Sequence, residues 1–150
     1  MSKAQFNITS ESLSATKLST KVRNFTLNVD EPESLGGTDE APNPVEYLLV
    51  ALAGCLNVVA HTVAKDLNIS IQNLKIAVGG EIDINRFLGA SDAERAGYQA
   101  IKVELSYDSE ASKEELKEWL RQVNERCPVK DNLLNITPVI LQVKSNRKAA

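Results

Sequence analysis

The chain has 150 residues, a net charge of −3, 43% hydrophobic residues and 25% charged residues. That length argues for a single domain spanning 1–150, which would bury roughly 68–70% of the surface its unfolded chain exposes and so hold a core without covalent staples. Nothing in the charge balance suggests nucleic acid or an acidic membrane surface as a partner.

The start, Met1-Ser2-Lys3-Ala4-Gln5, leads into a polar, alternating stretch with no apolar run of the secretory kind. With only two cysteines, the chain has no disulfide framework. A reduced, cytoplasmic protein is therefore expected, and any disulfide between the two would be transient and chemical. Phe6 and Ile8 alternate with polar residues, and Leu18 and Val22 lie among Thr, Ser and Lys, so both stretches read as half-buried strands. Phe25, Leu27 and Val29 give a cleaner period-2 strand that stops at Asp30-Glu31-Pro32. Residues 33–43, with Gly36-Gly37 and Pro42 and a proline on either flank, read as a loop without a regular element.

Asn43-Pro44-Val45-Glu46 is a helix start: Asn43 caps, Pro44 takes the first position, and Glu46 stands where a capping-box acid belongs. The helix is expected to run to about Leu67. From Tyr47 to Ala64 no residue carries a formal charge, a length that reaches the threshold of a membrane span. Asn57, His61 and Thr62, the many small residues and the lack of aromatic or basic belts argue against a membrane. A soluble helix apolar all round must be buried all round. At 1.5 Å per residue it is roughly 30–35 Å long, against a radius of gyration of about 15 Å for a domain this size. One sheet covers only one side of such a helix. Ala51, Ala53, Gly54, Ala60 and Ala64 would let another backbone come close, so a homodimer with this helix near the interface is expected. Gly54, costing about 1 kcal/mol against alanine in mid-helix, points to close packing or access.

Leu74, Ile76, Val78, Ile82 and Ile84 form one continuous strand face, with Gly79-Gly80 suggesting a bulge or a close contact. Residues 85–97 read as a polar loop. Ile101, Val103, Leu105 and Tyr107 make the next strand. Ser112 to Glu115 is a capping box that opens a helix with an apolar stripe of Leu116, Trp119, Leu120 and Val123, extending to Cys127. Pro128 ends it. Val139, Leu141 and Val143 suggest a last strand, and the tail 145–150 is polar and expected to fray. The element order gives an α+β fold with a mainly antiparallel sheet.

Two cysteines and one histidine are too few for a Cys/His metal site, and no metal is expected. His61 lies six positions past Cys55, off its helical face, which favours a structural or interface role. No Ser-His-Asp pattern, P-loop or GxGxxG is present. The cysteines remain. Free cysteine is commonly a buried core residue, and that is the plain reading of both. Cys127, just before Pro128, could instead cap a short turn from Pro128 to Asn132. There the helix start, with Arg126 and Lys130 nearby, would make it the more acidic thiol. Cys55, three turns into an apolar helix, should be the less acidic.

The segments Leu35-Gly36-Gly37, Pro42-Asn43-Pro44 and Leu48 to Cys55 resemble the central motif of OsmC/Ohr proteins, and Cys127-Pro128-Val129 resembles their second motif. The resemblance implies an intertwined α+β homodimer around a long buried central helix. It also implies a peroxidase that reduces organic hydroperoxides. Cys55 would attack the peroxide and become a sulfenic acid, Cys127 would resolve it to a disulfide, and an external dithiol donor would reset the pair with no other cofactor. That order reverses the one read from the thiols' surroundings. The family activates its first cysteine with an arginine and a glutamate across the dimer. The glutamate position is Val45 here, with the acid one place later at Glu46. Arg23 is the only arginine before the long helix. The alternatives are a non-catalytic protein that holds a small ligand in an apolar interface pocket, and a redox sensor.

Overall fold

The computed structural model describes residues 3–144; the polar tail expected to fray lies outside them. Strands β1 (Thr9–Ser12), β2 (Leu18–Val22) and β3 (Phe25–Val29) form an antiparallel meander. The turn between β1 and β2 sets its register. Ser14 Oγ accepts from the Lys17 amide at 2.9 Å, and the Leu13 amide donates to the Lys17 carbonyl at 2.9 Å, placing Ser12 opposite Leu18. The strand therefore begins at Thr9, not at the Phe6–Ile8 pair the alternation had suggested. The last rung of β1 is Thr9 opposite Lys21. β2 then ends at Val22, so Phe6 has no strand opposite it and is 90% exposed. The two-residue turn from β2 to β3 puts Arg23 in the left-handed region at φ 53°.

The following loop is built on one carboxylate. Asp30 is fully buried and accepts from the amides of Glu31 (2.9 Å), Thr38 (3.1 Å) and Glu40 (3.2 Å) and from Thr38 Oγ1 (2.5 Å). A buried carboxylate is tolerable only when its lone pairs are met in this way. The loop also contains a single 3₁₀ turn, Glu33–Leu35, which the glycine and proline content had seemed to forbid; Gly36 ends it at φ 85°. Gly37 lies so close to the Glu31 backbone that no side chain fits there. The Asp30 amide donates to the Pro42 carbonyl at 3.3 Å, delivering the chain to the start of the long helix.

Helix α1 (Pro44–Asp66) opens with the expected capping box: Asn43 Oδ1 accepts from the Glu46 amide, and Glu46 Oε2 accepts from the Asn43 amide, both at 2.9 Å. By length and composition α1 could cross a membrane; here it packs against β4 (Gln72–Gly80), α3 (Lys113–Arg126) and α4 (Pro128–Leu134). Leu52, Leu56, Ala60, Val63 and Ala64 form its buried stripe. The opposite face is open within the chain, with Val50 58% and Val58 63% exposed. Within the single chain the sheet and helices therefore cover one side only, as expected of one sheet against so long a helix. Among the described residues Gly54 has no neighbour within 4 Å of where a Cβ would stand, so no packing contact there explains it.

β4 pairs antiparallel with β5 (Ile101–Asp108), and a register shift lies between Gln72 and Lys75. The irregularity is therefore not at Gly79-Gly80. It sits where Asn73 turns left-handed (φ 50°) and donates from Nδ2 to Asp108 Oδ2 at 2.6 Å. Gly80 instead serves close contact: a Cβ there would stand 2.6 Å from the Ala100 carbonyl and 2.8 Å from the Tyr98 ring. Ile82 and Ile84 do not continue the strand. Asp83 accepts from the Asn85 amide and starts a four-residue helix, α2 (Ile84–Phe87), inside the stretch read as loop.

α3 opens at the Ser112–Glu115 capping box and buries Trp119 and Val123 on the stripe that reaches Cys127. Trp119 Nε1 donates to the Ala60 carbonyl of α1 at 2.8 Å, and Tyr107 of β5 meets the indole edge-on at 4.9 Å. Residues 136–143 form no strand, contrary to their alternation; Val139, Leu141 and Val143 are almost fully exposed. A strand requires a partner ladder, and within the chain this segment reaches neither sheet.

The four bonds to Asp30 hold its carboxyl far below the usual carboxylate range, Thr38 Oγ1 contributing most. A depressed native pKa stabilises the fold above the unfolded value of about 3.9, and that contribution fades as the pH falls below it. Asp30→Asn turns an amide group toward backbone donors, so its melting temperature at pH 7 is expected to drop by roughly 5–10 °C. In calorimetry the wild-type and Asn curves should converge below pH about 4.

Candidate functional site

Cys55 sits three full turns into α1 and is partly buried; Cys127 is fully buried between α3 and α4. Both are free thiols, and their sulfurs are 3.1 Å apart, with Cys127 Sγ donating to Cys55 Sγ. Two contacts further along α1 hold α3 in the position that makes this possible: the Trp119–Ala60 bond and the ion pair of Arg126 with Asp66 at 2.7 Å. Cys127 leaves α3 in an extended conformation (φ −84°, ψ 107°), as Pro128 requires of the residue before it. Its sulfur then caps α4, accepting from the Lys130 amide at 3.5 Å.

The electrostatics differ from what the α4 terminus suggested. Burial pushes the Cys127 thiol up, and its hydrogen bond to Cys55 adds to the rise. The amides of Lys130 and Val129 pull the other way and are outweighed. Desolvation of the charged form therefore prevails over a seven-residue helix's terminus, and Cys127 is not the acidified thiol that its flanking sequence implied.

The other expected residues lie apart from the pair. Arg23 is exposed in the β2–β3 turn, its guanidinium 5.1 Å from the Phe25 ring centroid. Glu46 is committed to the α1 cap, about 13–14 Å along the axis from Cys55. Among the described residues neither bonds to either cysteine, the one side-chain hydrogen bond at Cys55 comes from Cys127, and no cluster of three metal-ligating side chains occurs. His61 is exposed on the open face of α1.

A cavity of about 730 Å³ adjoins the pair. Leu48, Leu52 and Leu56 of α1, Val103 and Leu105 of β5, and Trp119 of α3 form much of its apolar wall. Neither sulfur lines it. Leu56, Val123 and Lys130, immediate neighbours of the cysteines in sequence or along a helix, close that end. At the other end stand Arg95, inside the stretch 85–97 read as loop, and Tyr98, just beyond it. Tyr98 is buried and donates from its hydroxyl to the Val45 carbonyl at 3.0 Å; Arg95 Nη2 donates to the Tyr98 carbonyl. Burial, and then the Glu46 charge, raise the Tyr98 phenol above its ordinary value. A lone aromatic before a strand was the only signal that the loop is pinned there.

The OsmC-like protein family model matches residues 37–142. No curated protein sequence matches the chain. Among solved structures, the chain is similar to the OsmC-like protein of Mycoplasma pneumoniae (24% identity over 90% of this chain and 91% of that one, TM-score 0.77). It is also similar to an organic hydroperoxide resistance protein of Elizabethkingia anophelis (19% identity, 87% and 88% covered, TM-score 0.62). A third is the organic hydroperoxide resistance protein OsmC of Legionella pneumophila (17% identity, 89% and 91% covered, TM-score 0.62). At these identities the likeness establishes the fold.

Alkylation of the reduced protein followed site by site by mass spectrometry should give Cys127 a midpoint above the ordinary thiol value of about 8.5. In Cys55→Ala, which removes the hydrogen bond to Cys55 and leaves burial as the raising influence, that midpoint should move down. The raised value also means that the native state holds this proton longer than the unfolded chain. Its contribution to stability is complete below the ordinary thiol pKa and is lost as the pH rises through the native one. A midpoint at or below the ordinary value would show that the α4 terminus prevails after all.

Proposed function

This chain belongs to the OsmC-like protein family, and from that premise we propose that it is a thiol peroxidase acting on organic hydroperoxides. The observation that carries the reading is the pair of free thiols 3.1 Å apart, joined by a hydrogen bond, on an apolar helix. The Cys55 thiolate attacks the outer peroxide oxygen; the O–O bond breaks, the alcohol leaves with a proton, and Cys55 becomes a sulfenic acid. Cys127, already in contact, attacks that sulfur, expelling water and forming the Cys55–Cys127 disulfide. An external dithiol restores both thiols and is itself oxidised, so no bound cofactor takes part. Cys55 is the less buried sulfur and the one that receives the hydrogen bond, which favours it as the attacking residue. A cycle that must be reset by dithiols suits a reducing, cytoplasmic setting.

The same reading includes a homodimer. Among the described residues, the open face of α1 with Gly54, the two-stranded sheet with both edges free and the unpaired apolar segment 136–143 are the surfaces a second copy would cover. Such a copy could also bring Arg23 and Glu46 toward Cys55, supplying the charge that one chain lacks there. The competing reading, a protein that holds a small ligand without turnover, draws on the 730 Å³ cavity and on the fact that neither sulfur lines it.

Reduced protein given cumene hydroperoxide and a dithiol donor should consume peroxide catalytically. Cys55→Ser should abolish turnover, and Cys127→Ser should stop at a sulfenic acid that dimedone traps. Thiols that stay reduced would exclude the peroxidase. In sedimentation the protein should run as a dimer. Gly54→Leu, which meets nothing within its own chain, should shift it toward monomer while leaving the helical content intact.

A further inference from the structure

The two sulfurs of the candidate site meet as a preformed chelate. Cys55 is held by α1 and Cys127 by the junction of α3 and α4, so each sulfur is placed by a different element. Both are free thiols, and they stand 3.1 Å apart. Among the described residues no third His, Cys, Asp or Glu joins them as a ligand set. His61, the only histidine, is exposed on the open face of α1. The chain therefore offers two soft donors here and no more.

The spacing selects what two such donors can hold. A centre bonded to each sulfur at about 2.3 Å would subtend an angle of about 85° between them at this separation. Tetrahedral zinc, at about 109°, would need the sulfurs to part to roughly 3.8 Å and would still want two further ligands. A linear two-coordinate ion would need them roughly 4.6 Å apart. Parting them works against the packing of Trp119 and Val123, both fully buried on the helix that ends at Cys127. A pyramidal centre, whose three bonds stand close to right angles, fits without that movement. Trivalent arsenic is such a centre and is soft enough to prefer thiols to oxygen ligands. An organoarsenical brings its own third bond, to carbon, so two protein sulfurs complete it. Entry is ordered by burial: Cys55 is partly exposed and bonds first, and the buried Cys127 closes the ring.

We propose that the reduced Cys55–Cys127 pair captures monosubstituted trivalent arsenicals, both sulfurs bonding one arsenic atom. The arsenical enters as an arsonous acid, with one carbon and two hydroxyl groups on arsenic. Each thiol proton leaves with one hydroxyl as water, and two As–S bonds replace two As–O bonds. Nothing is oxidised or reduced. The capture goes beyond the peroxidase reading and does not require it: no peroxide is consumed, and a captured pair cannot form its disulfide.

The test gives the full-length reduced protein phenylarsine oxide, which hydrates to such an acid, and reads native intact mass and remaining thiols. One arsenical should bind per chain, with two waters lost and both thiols gone. The second bond closes within one molecule, so Cys55→Ser and Cys127→Ser should each hold the probe at least about a hundredfold more weakly. Circular dichroism checks the fold of each variant; Cys55→Ser, at the less buried position, decides alone if Cys127→Ser does not fold. Zinc ion offered to the same protein should stay with a competing chromogenic chelator. Two arsenicals per chain, each on one thiol, would overturn the proposal, as would a single adduct that leaves one thiol free. So would an affinity that survives Cys55→Ser, or zinc retained against the chelator, which would show that the pair opens to a tetrahedral ion. Peroxide turnover with no arsenical adduct would defeat this inference and leave the peroxidase reading standing; capture without turnover would do the reverse.

Discussion

The docking of α3 on α1 through Trp119 is the constraint on which the rest of the molecule depends. The indole is fully buried, fills the angle between the two helices, leans on Tyr107 of the sheet and donates to the Ala60 carbonyl. That carbonyl belongs to a helix, where it already accepts from within; its second lone pair receives the indole proton. A large apolar side chain with one polar atom, met by one acceptor, permits essentially one docking geometry. Eight residues further on, that geometry brings Cys127 against Cys55. Cys127 is thus held by its element rather than by its own contacts, and its sulfur serves at once as the last residue of one helix stripe and the cap of the next helix.

The amino-terminal part of the chain is organised by a different interaction. Asp30 gathers four donors from a loop that carries no hydrophobic core of its own. The first sheet has no extensive contact with the helices; it is joined to α1 by this loop and by the Tyr47 hydroxyl, which donates to the Asn28 carbonyl at 2.7 Å. Within one chain the apolar side chains of Phe6, Ile8 and residues 136–143 and the outer face of α1 remain uncovered. So much exposed apolar surface is unusual for a monomer, and part of it lies on α1, the helix that carries Cys55.

The two cysteines show how one residue type can be governed by opposite influences. Helix termini lower thiol pKa values, and Cys127 stands at one. Complete burial raises them, and Cys127 is also completely buried. The second effect prevails because desolvation acts on the whole ion, whereas a short helix offers two amides at hydrogen-bond range. A proton retained on Cys127 is the proton that hydrogen-bonds Cys55.

The sequence by itself determined the elements whose signals are local. The capping boxes at Asn43–Glu46 and Ser112–Glu115, the proline stops, the stripe from Leu116 to Cys127 and the alternation of β2, β3 and β5 are each read from residues within one or two turns of one another, because caps and periodicities act over that range. The element order built from them is that of an α+β fold, and the family motifs around Gly36-Gly37, Cys55 and Cys127 agree with it. What only the tertiary structure decided involves residues distant in the chain. The start of β1 depended on a turn partner, the end of β4 on the packing of Tyr98 against Gly80, and the missing strand at 139–143 on a ladder that alternation alone cannot supply. The 3.1 Å between two sulfurs separated by 72 positions, the burial that raises Cys127 and the presence of Arg95 at the cavity mouth likewise arise from packing between elements. Burial and proximity are properties of the assembled core, and no local pattern encodes them.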